Sequence, residues 1–307
     1  MRYTAKESYI ELRSRYDKII GWGAGAEFRK FYDHALFQFD HMIDGAGRNV
    51  GDILNGIMVQ GIETVTQYKD SDSLLVVIYP NIENEILQQI RVILPKADTI
   101  AARLICIEGR NKTYSADGED LFMLDYITSK YDHFSYIDIG VCHPVVRNNT
   151  YLFYENGFTE GVLVEPNMEM CDMAAVYRPI NKIVNMGASP DLSAEKLDYY
   201  YDSMHPGLNT FRKDVALQRG IAQSRKKVPV ENINSILADN FKTYPNVMDI
   251  DTEGLDYELL AHLDFERFPI DLICVEISAG DLIRKLMQEK GYQLLKTTSE
   301  NEIYARR

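Results

Sequence analysis

Apolar positions along the chain follow two patterns, short unbroken β-branched or aromatic runs and residues at helical spacing. Two runs open into a glycine turn: Lys18-Ile-Ile-Gly-Trp-Gly-Ala-Gly25 and Tyr136-Ile-Asp-Ile-Gly140. A buried parallel strand, a glycine turn and a helix form the start of a nucleotide-binding α/β unit, so the pattern predicts two such halves. In the first, residues 26–35 predict a helix, 39–44 a strand ending in Asp44, and 73–79 a fully buried strand. Ile86, Leu87, Ile90 and Ile93 mark a helix over 83–94, which Pro95 ends. Residues 101–107 predict a fourth strand, 108–118 a polar loop and 121–130 a linking helix, setting a domain boundary near residue 130.

Beyond it, strands are expected at 136–140, 161–165, 182–186, 197–202, 246–251 and 272–276, with helices at 149–156, 168–177, 255–262 and 281–290. A further pair of strands, 292–296 and 302–305, follows. Strands alternating with helices and ending in two adjacent strands describe an α/β, doubly wound sheet with an antiparallel edge strand. The expected organisation is a smaller Rossmann-like α/β domain, residues 1–130, followed by the larger sheet, 131–307.

Composition narrows the partners. The chain has 307 residues, 46% of them hydrophobic and 26% charged, values of an ordinary globular protein. Its net charge of −13 argues against nucleic acid and against an anionic membrane surface, both of which select clustered positive charge. Cys106, Cys142, Cys171 and Cys274 are far apart, which suits neither a disulfide framework nor a cysteine zinc site. With no long apolar run and no signal-peptide pattern, no membrane insertion is expected, and the cytoplasm is the expected location.

Five pieces of the second half then occur in order: Tyr136-Ile-Asp-Ile-Gly-Val-Cys-His-Pro144, Asn148-Asn-Thr-Tyr151, Val162-Leu-Val-Glu-Pro-Asn167, Met248-Asp-Ile-Asp-Thr-Glu-Gly-Leu-Asp256 and Ile273-Cys-Val-Glu276. Together they resemble the FkbM family of S-adenosylmethionine-dependent methyltransferases, over residues 130–300. The resemblance implies a class I methyltransferase-like fold, S-adenosylmethionine as cofactor, and transfer of its methyl group to a sugar hydroxyl. A nucleotide-activated sugar or a surface-polysaccharide precursor is the acceptor it implies. Gly140 lets the backbone approach a ligand closely. Asp138 can hold a polar cofactor group, and Glu165, at the tip of the next strand, is placed for the ribose hydroxyls. Asn149, Thr150 and Asn185, the last near the adenine, complete the expected cofactor set. His143-Pro144 stands where class I methyltransferases usually carry a second glycine, so His143 is a cofactor contact, a general base or a packed loop residue.

Methyl transfer to an alcohol is an in-line displacement that also needs the alcohol proton removed. Asp251 and Glu253, at the end of a predicted strand, are candidates for that task. They form a Mg²⁺ site, with Glu276 as a weaker third ligand, a metal-free site in which one acid is the base or a substrate hydrogen-bonder and the other caps the following helix, or a purely structural cap. His205, in a polar loop after Tyr199-Tyr-Tyr201, is either the other candidate base or a solvated loop histidine. Phosphates on an acceptor would need cations, for which Arg110, Lys112, Arg147, Arg212, Lys213 and the run Arg225-Lys-Lys227 are available, although such a run is more often a solvated face. In the first half, Gly21-Trp-Gly-Ala-Gly25 partly matches a dinucleotide fingerprint, with Asp44 where a ribose acid would stand. That half is read as binding a nucleotide sugar, as binding NAD, or as an interaction domain through which a homo-oligomer forms. Two rival functions remain open: an NAD(P)-dependent sugar oxidoreductase, and a non-catalytic scaffold whose cofactor loop His143-Pro144 has spoiled.

Overall fold

The computed structural model describes residues 7–32, 37–79, 83–102, 105–106 and 113–307. Arg110 and Lys112 lie outside these residues. The chain divides into two compact units, Met1–Asn111 and Lys112–Arg307.

In the first unit a two-residue parallel pair, β1 (Glu7–Ser8) with β8 (Ile105–Cys106), accompanies a six-stranded sheet. The sheet comprises β2 (Lys18–Trp22), β3 (His41–Ile43), β4 (Ile53–Leu54), β5 (Ile57–Gln60), β6 (Leu74–Ile78) and β7 (Asp98–Ala101), in the order β4-β5-β3-β2-β6-β7. All neighbours are parallel except the β4–β5 hairpin, which the sequence pattern did not predict. Within the strand expected over 101–107, the described residues hold the end of β7, which begins earlier at Asp98 and turns Ile100 into the core, and the two-residue β8. Helix Glu83–Ile93 lays Ile86, Leu87 and Ile90 on Ile20, Trp22, Val76 and Ile78, as its helical spacing requires.

Two features of this unit depart from a dinucleotide site. A Cβ on Gly21 would stand 2.5 Å from the Met42 sulfur and 2.9 Å from the Phe39 ring, so this glycine makes room for packing inside β2. Asp44 is buried and holds its own turn, accepting from Ala46 N at 3.1 Å, Asn49 N at 2.8 Å and Asn49 Nδ2 at 2.8 Å.

The second unit carries β9 (Tyr136–Ile139), β10 (Gly161–Val164), β11 (Lys182–Val184), β12 (Gly187–Ser189), β13 (Lys196–Tyr200), β14 (Arg225–Asn232), β15 (Val247–Ile250), β16 (Leu272–Glu276), β17 (Tyr292–Thr297) and β18 (Asn301–Arg306). Seven of them form one sheet, ordered β11-β10-β9-β15-β16-β18-β17. The chain runs outward from β9 through β10 to β11, then crosses back to β15. The sheet therefore has its switch point between β9 and β15, and a crevice at the carboxyl ends of those strands is where open α/β sheets take ligands. The antiparallel strand expected at the edge is β18, and it lies one place in, between β16 and β17. The doubly wound class stands.

Alternation along β9 sorts the two faces of this sheet. Ile137 and Ile139 join Val162, Met248 and Ile273 beneath Ile233, Ile236, Leu259, Leu260, Ile283 and Met287 from three helices. Tyr136, Val247 and Leu272 point the other way, onto Phe153 and onto Met123 and Ile127 of helix Glu119–Thr128. That helix, expected as a link ahead of the boundary, thus covers the sheet of the second unit.

Between β11 and β15 the chain inserts a three-stranded sheet, β12-β14-β13. Arg225-Lys-Lys227, expected as a solvated charge run, opens β14, whose Val228, Val230 and Asn232 are buried. Among the described residues, no helix is long and apolar enough to cross a membrane.

Candidate active site

A cavity opens at the switch point. It is lined by Gly140 and Cys142 after β9, by Glu165, Pro166 and Asn167 after β10, and by Asp251, Thr252 and Glu253 after β15. Gly187 and Ala188 of β12, together with Tyr199, Pro206, Gly207, Asn209 and Phe211 from the inserted segment, supply another part of the wall.

Gly140 has φ of +91°, a conformation that favours glycine, and its amide donates to Val164 O at 2.9 Å. The loop it begins is fastened by Glu165. One carboxylate oxygen of Glu165 accepts from Cys142 N at 2.8 Å and the other from Asn167 N at 2.7 Å. Each oxygen keeps a further lone pair for a ligand hydroxyl. Burial pushes the Glu165 carboxyl up to about 7, and the two backbone donors pull the other way.

The loop after β15 is built around Asp256 in the first turn of helix Asp256–His262. Its carboxylate accepts from Thr252 N at 2.8 Å, Thr252 Oγ1 at 2.9 Å, Gly254 N at 3.2 Å and Ser278 Oγ at 2.7 Å. This leaves Glu253 at φ +57° and sets Asp251, Glu253 and Glu276 together, one ligand atom from each within 4.8 Å of the others. Arg219 stands on Glu253 at 2.5 Å and also donates to Leu208 O at 3.0 Å, while Thr210 Oγ1 donates to Glu253 O at 2.8 Å. Those contacts tie the inserted segment to the acidic loop. Asp251 Oδ1 and Glu276 Oε2 are buried and have no hydrogen-bond partner. Burial, reinforced by Glu253 and Glu276, pushes the Asp251 carboxyl well above its ordinary range; burial with Asp256 and Glu253 pushes Glu276 up to about 8.

The predicted site residues separate into groups. Gly140, Glu165, Asp251 and Glu253 line the cavity. Asp138, Asn149 and Thr150 do not; they belong to a buried polar network. Asp138 accepts from Thr150 Oγ1 at 2.6 Å and Asn148 Nδ2 at 3.0 Å, with Arg178 Nη1 at 3.7 Å. Asn149 Nδ2 donates to Asp249 Oδ1 at 3.1 Å. Asn185 donates to the Glu165 carbonyl at 2.9 Å and to Cys171 Sγ at 3.2 Å, bracing the end of β10. His143 Nδ1 accepts from Val145 N at 3.1 Å and Val146 N at 2.9 Å, and burial holds the ring down at about 4, so it is a neutral cap on its own loop. His205 Nδ1 lies 2.9 Å from Asp202 Oδ2; the residues after it, Pro206, Gly207 and Asn209, line the cavity and His205 does not.

Sequence reasoning passed over three parts of this site. Arg178 is fully buried and joins Asn148, Thr150, Asn181 and Tyr136, yet its position at a helix end carries no local signal. Asn148 Oδ1 accepts from Thr150 N at 3.0 Å and Tyr151 N at 2.8 Å, a helix-start pattern readable in Asn-Asn-Thr-Tyr. The aromatic wall of Tyr199 and Phe211, ring centroids 5.0 Å apart, arises only when the insertion folds over the sheet.

Residues 138–294 match the sequence family described as Methyltransferase FkbM domain. No curated protein matches the chain. Among solved structures, it is similar to a methyltransferase FkbM from Methylobacillus flagellatus KT, with 11% identity over 98% of this chain and 94% of that one, at a TM-score of 0.37. So distant a likeness assigns no residue a role.

Proposed function

The chain belongs to the FkbM methyltransferase family, and from that premise we propose that it methylates a sugar hydroxyl at the switch-point cavity, with S-adenosylmethionine as donor. A nucleotide-activated sugar or a surface-polysaccharide precursor is the acceptor we infer. The residues present fit the cofactor. Glu165 has free lone pairs for ribose hydroxyls, Gly140 and Gly187 keep side chains out of the way, and Ile139, Val164, Pro166 and Met170 offer apolar surface to a flat base. When bound, S-adenosylmethionine supplies an electrophilic methyl group on a sulfonium.

The observation that carries the chemistry is the unpartnered Oδ1 of Asp251. A buried carboxylate oxygen without a donor is costly, and an acceptor hydroxyl would provide one. The same contact aligns the hydroxyl and gives its proton somewhere to go, and a carboxyl held above its usual range is the stronger base once ionised. Tyr199 and Phe211 would hold the sugar ring, whose C–H faces suit aromatic surfaces. For the acidic trio, Arg219 already provides the counter-charge on Glu253, which favours the metal-free reading over Mg²⁺.

The test is calorimetric titration with S-adenosylhomocysteine, with and without Mg²⁺, followed by methyl transfer to a panel of free and activated sugars. Micromolar binding that ignores Mg²⁺, and label on a sugar oxygen, are the expected results. No uptake of S-adenosylhomocysteine would sink the proposal.

A further inference from the structure

The cations that the sequence offers for phosphate binding are sorted by their partners. Arg147 is paired with Glu300, and Arg212 with Asp214 at 2.7 Å and Glu258 at 2.8 Å. Arg225 and Lys227 both reach Asp198, at 3.9 and 3.4 Å. Lys226 lies between them on β14 and therefore turns to the opposite face. Its ammonium stands 5.9 Å from the centroid of the Tyr199 ring and 5.3 Å from that of Tyr201. Among the described residues it forms no ion pair.

Lys226 reaches a residue of the cavity wall. Its register partner across β13–β14 is Tyr199, which lines the cavity with Glu165. The interior of the cavity is acidic, with Glu165, Asp251 and Glu253 on its wall. A phosphate finds no counter-charge on that carboxyl-lined wall, whereas the exposed Lys226 ammonium beside Tyr199 offers one. A ligand carrying both a phosphate and hydroxyls is thereby oriented, hydroxyl end inward and anion outward.

We propose that Lys226 anchors a phosphate of the acceptor, so that the substrate is a phosphate-bearing sugar held with its ring against Tyr199 and Phe211. This deepens the methyl-transfer reading and rests on it. A lysine ammonium is a compact charge with three donors, suited to a phosphate that keeps part of its water.

The experiment uses the full chain saturated with S-adenosylhomocysteine and titrates it with uridine diphosphate glucose, inorganic pyrophosphate and, as the uncharged control, methyl glucoside. Both phosphate probes should bind more tightly than the control, with affinity falling as salt is added. Lys226→Met should weaken them about ten-fold and Lys226→Arg should restore most of the loss, since the charge is what matters. S-adenosylhomocysteine affinity should be the same in all three proteins. Unchanged phosphate binding in Lys226→Met, or no phosphate binding by the unsubstituted protein, overturns the proposal. Weaker S-adenosylhomocysteine binding in Lys226→Met also overturns it and gives the lysine to the cofactor instead. Failure of the unsubstituted protein to bind S-adenosylhomocysteine strikes the underlying reading, and the proposal falls with it.

Discussion

A Cβ on Gly140 would stand 1.7 Å from the carbonyl oxygen of Asp251. One residue follows β9 and the other β15, so at this point the two chain segments that flank the switch point meet backbone to backbone. Gly140→Ala meets this clash and a φ of +91° together. Each is a recognised route to a loss of about 1–3 kcal/mol. The variant should unfold at lower urea concentration and should bind S-adenosylhomocysteine at least about ten-fold more weakly. An unchanged midpoint and affinity would mean that the two loops can part without consequence.

Asp251→Asn keeps the shape of the side chain and removes its charge. Turnover should drop by about 100-fold or more, while S-adenosylhomocysteine affinity is retained. The pH dependence of stability gives a second readout. The folded-state pKa of Asp251 is raised, so its ionisation opposes folding, and stability present at low pH is lost as pH rises through that pKa. Thermal melts at pH 8 should therefore show Asp251→Asn more stable than the parent, with the difference shrinking towards pH 4. A variant that is less stable at pH 8 would contradict the placement of this carboxylate.

Glu165 should make cofactor binding pH-dependent. With its carboxyl raised to about 7, it is mostly protonated at pH 6 and mostly ionised at pH 8. Ribose hydroxyls donate more strongly to the ionised form, and hydrogen bonds to a charged group contribute about 1.5–3 kcal/mol. Calorimetry from pH 6 to pH 8 should show S-adenosylhomocysteine binding tightening, and the profile should flatten in Glu165→Gln. A profile equally steep in the variant would assign the dependence to another group.

His143 has a different expected signature. Its folded-state pKa is lowered to about 4 from 6.5, so the stability it contributes is complete above pH 6.5 and is lost as pH falls towards 4. His143→Asn should lose this acid-side slope. His143→Ala removes the acceptor for Val145 N and Val146 N and should cost about 1–2 kcal/mol at pH 7 by denaturant titration. No cost in His143→Ala would leave the cap without energetic weight.

The legible parts of the fold were those where local pattern and burial coincide. β9, β10, β15 and β16 are buried on both faces, so near-continuous apolar runs, interrupted only by Asp138 in β9 and Asp249 in β15, identified them. Gly140, Glu165 and Asp251 were legible because each follows such a strand at its ligand-binding end. The inserted sheet was not. In β14 the inward residues begin only at Val228, after three exposed cations, and a charged start masks a period of two. Asp138 and Thr150 were placed correctly along the chain, but their contacts depend on Arg178, which arrives from a separate helix and absorbs them into a buried network. Spacing along a sequence reports which strand end a side chain occupies and says little about which neighbour reaches it first.

The position of β18 bears on the order of assembly. β17 precedes β18 in sequence, yet it reaches the sheet only through β18, which pairs with β16 on its other side. While a nascent chain extends no further than residue 300, β16 presents an unpaired strand edge and β17 has nothing to join. The two strands must meet as a hairpin and dock together. Until they do, the exposed edge of β16, Leu-Ile-Cys-Val-Glu, is an apolar template for association between chains, so conditions that slow this last docking should favour aggregation over misfolding within one molecule.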